Sequence, residues 1–492
     1  MAAISSKING KVFSLETLAF LATISFPVIA ILLLGLEQYI ALGVLVGVLF
    51  VILIIHNYRY GLHFVIIGLP LFQSLTLRSD AATSMGLNFQ YVLIPIVFVA
   101  WLAEKISNRQ LTAIRLPFLS LFTLFVIVLL LSLLNQMDIP ARHLLRQGFV
   151  NVIALVNYLV LFYIIVNEDW DQRELQKILW GFLIVAFLTA AIAIVQYFTA
   201  EVNLVTGGLR ATGTFKSFLR TDTKNNPNAF GTYMAFMAAM ALWLWNLADR
   251  RHRKYILVLT GVIIFALLLS FSRSSLLALL FALLGYTFIR NKRAFVITVV
   301  VSVAGLIALY FEPTTHRRIQ SIFAVISDRR VVNMFLNINP WSLDWSYVEY
   351  YGIQGYNSDI ISAAFRIWAW IQGVQLTVAH PILGVGYHMN LAYSPWPTAE
   401  NLYLDIACMT GLTGLSLFVI MQYYFLRDGF RFLRNPKLTH IGMFWLNILA
   451  IVFIVSLTGS ILFHGKLLGI FWILAGVFYN VKQREDNYLY QQ

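Results

Sequence analysis

Long apolar runs, repeated along almost the whole chain, constrain this sequence more than any other feature. A helix that crosses lipid needs about 20 mostly apolar residues. Runs of that kind lie near 17–36, 39–55, 61–77, 90–104, 116–135, 150–167, 177–198, 228–248, 255–271, 274–289, 294–311, 402–425, 441–458 and 466–481, which makes 14. The second to fourth are short or interrupted by polar residues, so 12 spans is the alternative count. Lipid offers no hydrogen-bond partner to an open strand edge, so the spans are expected to be helical. The fold class read from the sequence is therefore all-α, a polytopic membrane bundle of 12–14 transmembrane helices with one large, partly helical outer loop. The low charge content agrees: 12% of residues are charged and 60% hydrophobic, where soluble domains carry about one-quarter charged residues.

The basic excess then takes on a different meaning. A net charge of +13 in a soluble protein would suggest nucleic acid. In a bundle of spans it follows from cytoplasmic loops enriched in Lys and Arg, and no nucleic acid is expected. Arg250, Arg251, Arg253 and Lys254 mark one such loop; Arg290, Lys292 and Arg293 mark a second; Arg427, Arg431, Arg434 and Lys437 mark a third. Lys482 and Arg484 put the C-terminus on the same side, as Lys7 and Lys11 do the N-terminus. All five assignments agree for an even number of spans. No clear small-residue cleavage site follows Lys7 and Lys11, so a retained first helix is expected in place of a signal peptide. The opposite face then receives the 199–227 loop, the tight turn around Arg273 and the long 312–401 segment. That segment is too long for an idle connection. Cys408 is the single cysteine, which excludes an intramolecular disulfide and fits a small core hydrophobe.

Three outer-face elements could carry chemistry. The stretch "RATGTFKSFLRTDTKNNPNAFG", residues 210–231, places Arg210, Lys216, Arg220 and Lys224 where the positive-inside bias disfavours them. It ends in Asn226-Pro227-Asn228, an N-cap followed by proline at the first helical position, so a helix dipole points its positive end toward those cations. The second element, "SFSRSSLLALL", holds Arg273 between two apolar runs. Its small neighbours Ser270, Ser272, Ser274 and Ser275 are expected to let a ligand come close. In the third, Arg366 lies on an amphipathic helix with Trp368 and Trp370, suited to the membrane interface. His380-Pro381 and Gly384-x-Gly386 then turn the chain, and Glu400-Asn401 opens the next span. The G-x-G pair lacks the strand and helix of a dinucleotide site. His380 and His388 lack the spacing and partners of a metal site, and a structural role for each ranks above a ligand role.

Each element also has a bland reading. Long loops tolerate cations, an arginine at a helix end can rest on lipid phosphate, and Glu400 can simply cap its helix. Their order is more specific than any one of them: Arg-x-x-Gly-Thr-Phe…Asn-Pro-Asn, then Ser-Arg-Ser, then Arg…His-Pro-x-x-Gly-x-Gly…Glu-Asn-x-Tyr-Leu. This arrangement, before the last helices, resembles the O-antigen ligase and O-antigen/exopolysaccharide polymerase family of bacterial membrane glycosyltransferases. The resemblance covers roughly residues 205–425 in pattern and the whole chain in topology.

The resemblance implies a multi-pass protein of the bacterial inner membrane, with both termini cytoplasmic and the active site on the periplasmic face. It divides the chain into N-terminal helices over 1–200, a ligase/polymerase-like core over 201–425 that includes the outer loop 312–401, and C-terminal helices with a cytoplasmic tail over 426–492. It implies metal-independent, inverting transfer of a glycan from undecaprenyl diphosphate to another lipid-linked repeat unit, or to lipid A–core in a ligase, with no cofactor. A flippase and a chain-length regulator are the implied protein partners. Arg210 and Arg273 are the implied diphosphate-holding residues, with Arg366 a third; Asn228, Asn401, Lys216, Arg220 and His380 are the further candidate substrate contacts. Ligases of the family carry histidine before the asparagine where this chain has Glu400. That departure makes Glu400 the candidate general base and favours a polymerase. A solute carrier is the reading from another class. Carriers place ionisable groups or broken helices near the bilayer midplane, whereas the notable charges here gather at one face.

Overall fold

The computed structural model describes residues 47, 50–71, 74–76, 86–88, 90–111, 114–135, 142–199, 210–215, 226–311, 358–386, 399–436, 438–460 and 465–491. The helices among them are α1 (Tyr58–Gly68), α2 (Gln90–Ser107), α3 (Leu119–Leu134), α4 (Arg142–Val166), α5 (Gln172–Phe198), α6 (Pro227–Leu247), α7 (Arg250–Leu269), α8 (Arg273–Arg290) and α9 (Lys292–Phe311), followed by α10 (Ser358–Ala379), α11 (Leu402–Leu433), α12 (Thr439–Ser456) and α13 (Gly465–Gln491). Among the described residues, seven segments are long and apolar enough to cross a membrane: α5, α6, α7, α8, α11, α12 and the Gly148–Val166 part of α4. A polytopic helical bundle is the architecture. Between α1 and α2 it carries a hairpin of β1 (Ser74–Thr76) and β2 (Gly86–Asn88), paired antiparallel with Leu75 opposite Leu87. The apolar run expected over 61–77 therefore ends as a helix at Gly68 and continues into a strand. The expected first span, 17–36, lies outside the described residues.

Local signals start the helices. Asn57 accepts from the Arg59 amide to cap α1, and Asp171 with Glu174 forms a reciprocal capping box on α5. Asn226 accepts from Ala229 N with Pro227 at the first helical position of α6, as the sequence predicts. The core is aromatic. Phe122 of α3, Phe162 of α4, Phe425 of α11 and Trp472 of α13 meet edge-on, while Trp445 of α12 stacks on Phe478 at 4.9 Å.

Alternating helix directions give the bundle two unlike ends. Trp243 near the end of α6 stacks on Phe444 near the start of α12, and Arg290 at the end of α8 reaches Asn246. The end of α6, the end of α8 and the start of α12 thus lie together. The same end holds Arg59, Glu168, Asp428 and Lys482, so the cation clusters that mark the sequence's basic loops share one end of the bundle. The starts of α6, α8, α11 and α13 and the ends of α7 and α12 form the other.

One expectation is corrected. The run 402–425, read as a continuous span, is two helices merged across Gly411, which sits at φ 67° and ψ −172°. The chain folds back sharply there: Tyr403 packs its ring on Phe418 and Phe453 and donates its hydroxyl to Gln422 at 3.1 Å. In a straight helix, residues 403 and 422 would stand about 28 Å apart.

Candidate active site

At the strap end, residues 210–215 lie across the bundle and fasten distant helices to one another. Ala211 N donates to Leu269 O at 3.0 Å. Arg210 donates from Nε to Ser270 O at 2.9 Å and from Nη2 to Asn228 Oδ1 at 3.0 Å and Phe271 O at 3.3 Å. These acceptors fix the guanidinium's orientation. Gly213 adopts φ +52°, and a Cβ there would come within 2.9 Å of Thr189 O and of the Phe230 ring. Thr214 Oγ1 donates to Pro70 O at 2.8 Å, and Phe215 packs on Phe230 and Tyr233. The Arg-x-x-Gly-Thr-Phe pattern thus has a structural reason at each of its four named positions.

Lys466, at the start of α13, completes the strap and is a residue that the sequence reading missed. Its ammonium donates to Thr214 O at 2.7 Å and Pro70 O at 3.4 Å and lies 5.1 Å over the Phe215 ring. In the sequence it stands at the edge of an apolar run, where a lysine looks like an anchor. Only the approach of residue 214 reveals its second use.

Arg273 opens α8 and is half-buried, one residue beyond Ser272. The serines around it behave differently from expectation. Ser270, Ser272 and Ser275 are fully buried, with Ser272 and Ser275 hydroxyls 2.8 Å apart and Ser275 3.1 Å from the Thr232 hydroxyl. A Cβ on Gly231 would stand 2.7 Å from Ser272 Cβ. These three small side chains therefore let α6 and α8 come close to each other, and are not open to a ligand.

The third element is built around the break in α11. Glu400 precedes the helix at φ +52°, a left-handed conformation that is uncommon for a residue with a side chain. The cap is Asn401, not Glu400: Asn401 Oδ1 accepts from Leu404 N at 3.1 Å while Nδ2 donates to Leu457 O at 3.2 Å. Asp405, one turn on and fully buried, accepts from Ala399 N at 2.6 Å and from the Ser460 hydroxyl. With its cap role taken, Glu400 is half-buried, and that burial holds its carboxyl above the ordinary range, partly offset by the nearby Arg366 guanidinium.

Arg366 is exposed on α10, a helix that does more than rest at an interface. Gly373 on it packs against Leu404 and Ala399, and the turn after His380 is clipped onto the broken α11. Val385 N donates to Cys408 O and Gly386 N to Met409 O, both at 2.9 Å, while Leu412 N donates to Pro381 O at 2.7 Å. Ser132 of α3 adds its hydroxyl to Met409 O. Carbonyls and amides freed by the break thus find partners within the protein, as non-helical backbone in a membrane requires. Gly384 and Gly411 permit the approach: a Cβ on Gly411 would lie 2.4 Å from Ile382 C and O. His380 takes part through its carbonyl, which accepts from Gly384 N at 2.9 Å. Cys408 is buried beneath the clip, as its apolar context implies.

The structure therefore brings Arg210 and Asn228 into direct contact, with Arg273 opening the adjacent helix. It also brings Glu400 near Arg366. Asn401 bonds Leu457, the residue after α12, a helix packed on α6, α8 and α11. Lys216 and Arg220 lie outside the described residues.

Residues 256–419 match the family model described as O-antigen ligase. The match supports the resemblance drawn from the motifs, over a third of the chain that contains Arg273, Arg366, His380, Glu400 and Asn401. No curated protein matches the chain. Arg210 and Asn228 lie before the matched stretch, yet the structure binds them to Ser270 and Phe271 inside it. The O-antigen ligase-type segment and the strap are one piece of the fold.

Proposed function

We propose that this protein transfers a glycan from undecaprenyl diphosphate to a hydroxyl of a second lipid-linked repeat unit, at the strap end of the bundle facing the periplasm. The observation that carries the reading is the Arg210 guanidinium, oriented by Ser270, Phe271 and Asn228 beside the start of α8 at Arg273. Breaking a glycosyl diphosphate concentrates negative charge on the bridging oxygen. Guanidinium groups remain charged at any working pH and match phosphate oxygens two at a time. A guanidinium oriented in advance, as Arg210 is, stabilises that charge without reorganising during the reaction.

In the proposed step the acceptor hydroxyl attacks the anomeric carbon of the donor, inverting it. The bond to the bridging oxygen breaks, and undecaprenyl diphosphate leaves toward Arg210 and Arg273, with Arg366 and Lys466 adding positive potential. The hydroxyl proton passes to Glu400, whose burial raises its basicity, as a general base needs. A ligase acting on lipid A–core is the second reading, favoured by the description of the matched family. Glu400, where ligases carry histidine, favours the polymerase.

Purified protein incubated with a lipid-linked repeat unit is expected to yield a ladder of longer glycans. Arg210→Ala and Arg273→Ala should each slow it by about a hundredfold, the usual effect of losing one such donor. Product of a single transfer to lipid A–core, without a ladder, would decide for the ligase. An unchanged ladder in both arginine variants would overturn the site.

A further inference from the structure

A feature unused by that chemistry is an apolar cavity of about 430 Å³ between α8, α11 and α12. Phe281, Ile289, Leu426 and Phe430 line it and are themselves exposed, so it opens sideways to the surrounding lipid. Gly285 lies in its wall, and a Cβ there would meet nothing within 4 Å. Asn447 also lines it: the residue is buried, and its Nδ2 has no hydrogen-bond partner among the described residues. At the cavity's end, Tyr286 is both a wall residue and an acceptor of Arg290, which donates a second bond to Asn246 at 2.5 Å. His440, at the start of α12, lies close enough to feel the Arg290 charge, and exposed Arg431 follows Phe430 on α11.

We propose that this cavity is a binding site for one anionic phospholipid of the leaflet at the basic end. An acyl chain fills the cavity and the headgroup phosphate rests on Arg290. Three features select this occupant. The wall is apolar and open to the bilayer, which suits a chain. At the mouth, the guanidinium of Arg290 is held in place by Tyr286 and Asn246, which suits a phosphate. The unmet Asn447 donor suits an ester carbonyl, an acceptor that a glycerolipid carries between headgroup and chains. The inference is independent of the transfer reaction, since Gly285, Tyr286, Arg290 and Asn447 take no part in it.

The test uses the full-length protein in neutral detergent, titrated with phosphatidylglycerol and, separately, phosphatidylcholine, with bound lipid counted by native mass spectrometry. Wild type should retain phosphatidylglycerol in preference to phosphatidylcholine. A Cβ at position 285 meets open space in the cavity wall, so Gly285→Leu should fold normally and lose bound lipid of both kinds. Arg290→Gln should lower phosphatidylglycerol retention by about tenfold and leave phosphatidylcholine unchanged, the expected effect of one charge-assisted phosphate contact. Equal retention in Gly285→Leu and wild type would overturn the site. Loss in Gly285→Leu with no effect of Arg290→Gln would also overturn it, pointing to a prenyl chain without a headgroup at this end.

Discussion

The two ends of this bundle use charge differently. At the basic end, two buried carboxylates are paired with cations. Glu168 takes the Tyr58 hydroxyl at 2.6 Å and the Arg59 guanidinium at 3.3 Å, while Asn480 binds the Glu168 carbonyl at 2.6 Å. Asp428 takes Lys482 at 2.7 Å and the Tyr479 hydroxyl at 2.9 Å. At the strap end, Arg210 and Lys466 donate to carbonyl and amide oxygens, which fix where each side chain points. A pair that satisfies itself holds helices together. A cation held by dipoles is prepared for an anion.

The sharpest break in that contrast comes from backbone, not charge. Gly411→Ala should be the most damaging single change, because its Cβ would strike Ile382 and the residue would have to keep a positive φ. A loss of about 4 kcal/mol is expected, seen as a collapse of the folded fraction in thermal unfolding. At the basic end, Lys482→Met leaves Asp428 buried without its ammonium and should cost about 3 kcal/mol. The rate per folded molecule in the glycan-ladder assay should stay unchanged. A slowed ladder with intact stability would erase the distinction between the ends.

Lys466→Met sharpens the contrast from the opposite side. It keeps the apolar stem and removes the donor to Thr214 O, so the strap should loosen. Transfer should fall by about tenfold, an amount in keeping with one charge-assisted hydrogen bond, with a smaller change in unfolding temperature. The mildest effect concerns pH. Burial raises the folded-state pKa of Glu400, so its ionised form is disfavoured and a base there is lost as pH falls through that raised value. Transfer should therefore rise with pH along an acid limb, and Glu400→Gln should flatten that limb as well as lower the rate. A limb that survives the substitution would leave Glu400 without a role in proton transfer.

How much of this was legible depended on the range over which each signal acts. The Asn226-Pro227 start of α6 could be read because capping is local. The helical bundle and the grouping of basic loops could be read because hydropathy and charge are written along the chain. Arg210 and Arg273 stood out by type and position, but nothing in 210–215 says that Thr214 meets Pro70, 144 residues earlier, or Lys466, 252 residues later. Gly411 was hidden for the same reason: a glycine in an apolar run is tolerated, and only the close approach of Ile382 makes it a corner. The serines near Arg273 misled because small residues serve a ligand and a helix crossing equally well, and Gly231 sits too far along the chain to decide between them.

Direct binding of a labelled prenyl diphosphate to the folded protein tests the contrast between the ends most simply. Arg210→Ala and Arg273→Ala should each weaken it by at least about tenfold, while Arg290→Gln and Lys482→Met leave it unchanged. Equal affinity across all four variants, or a loss confined to the basic-end pair, would contradict the assignment of the diphosphate to the strap end.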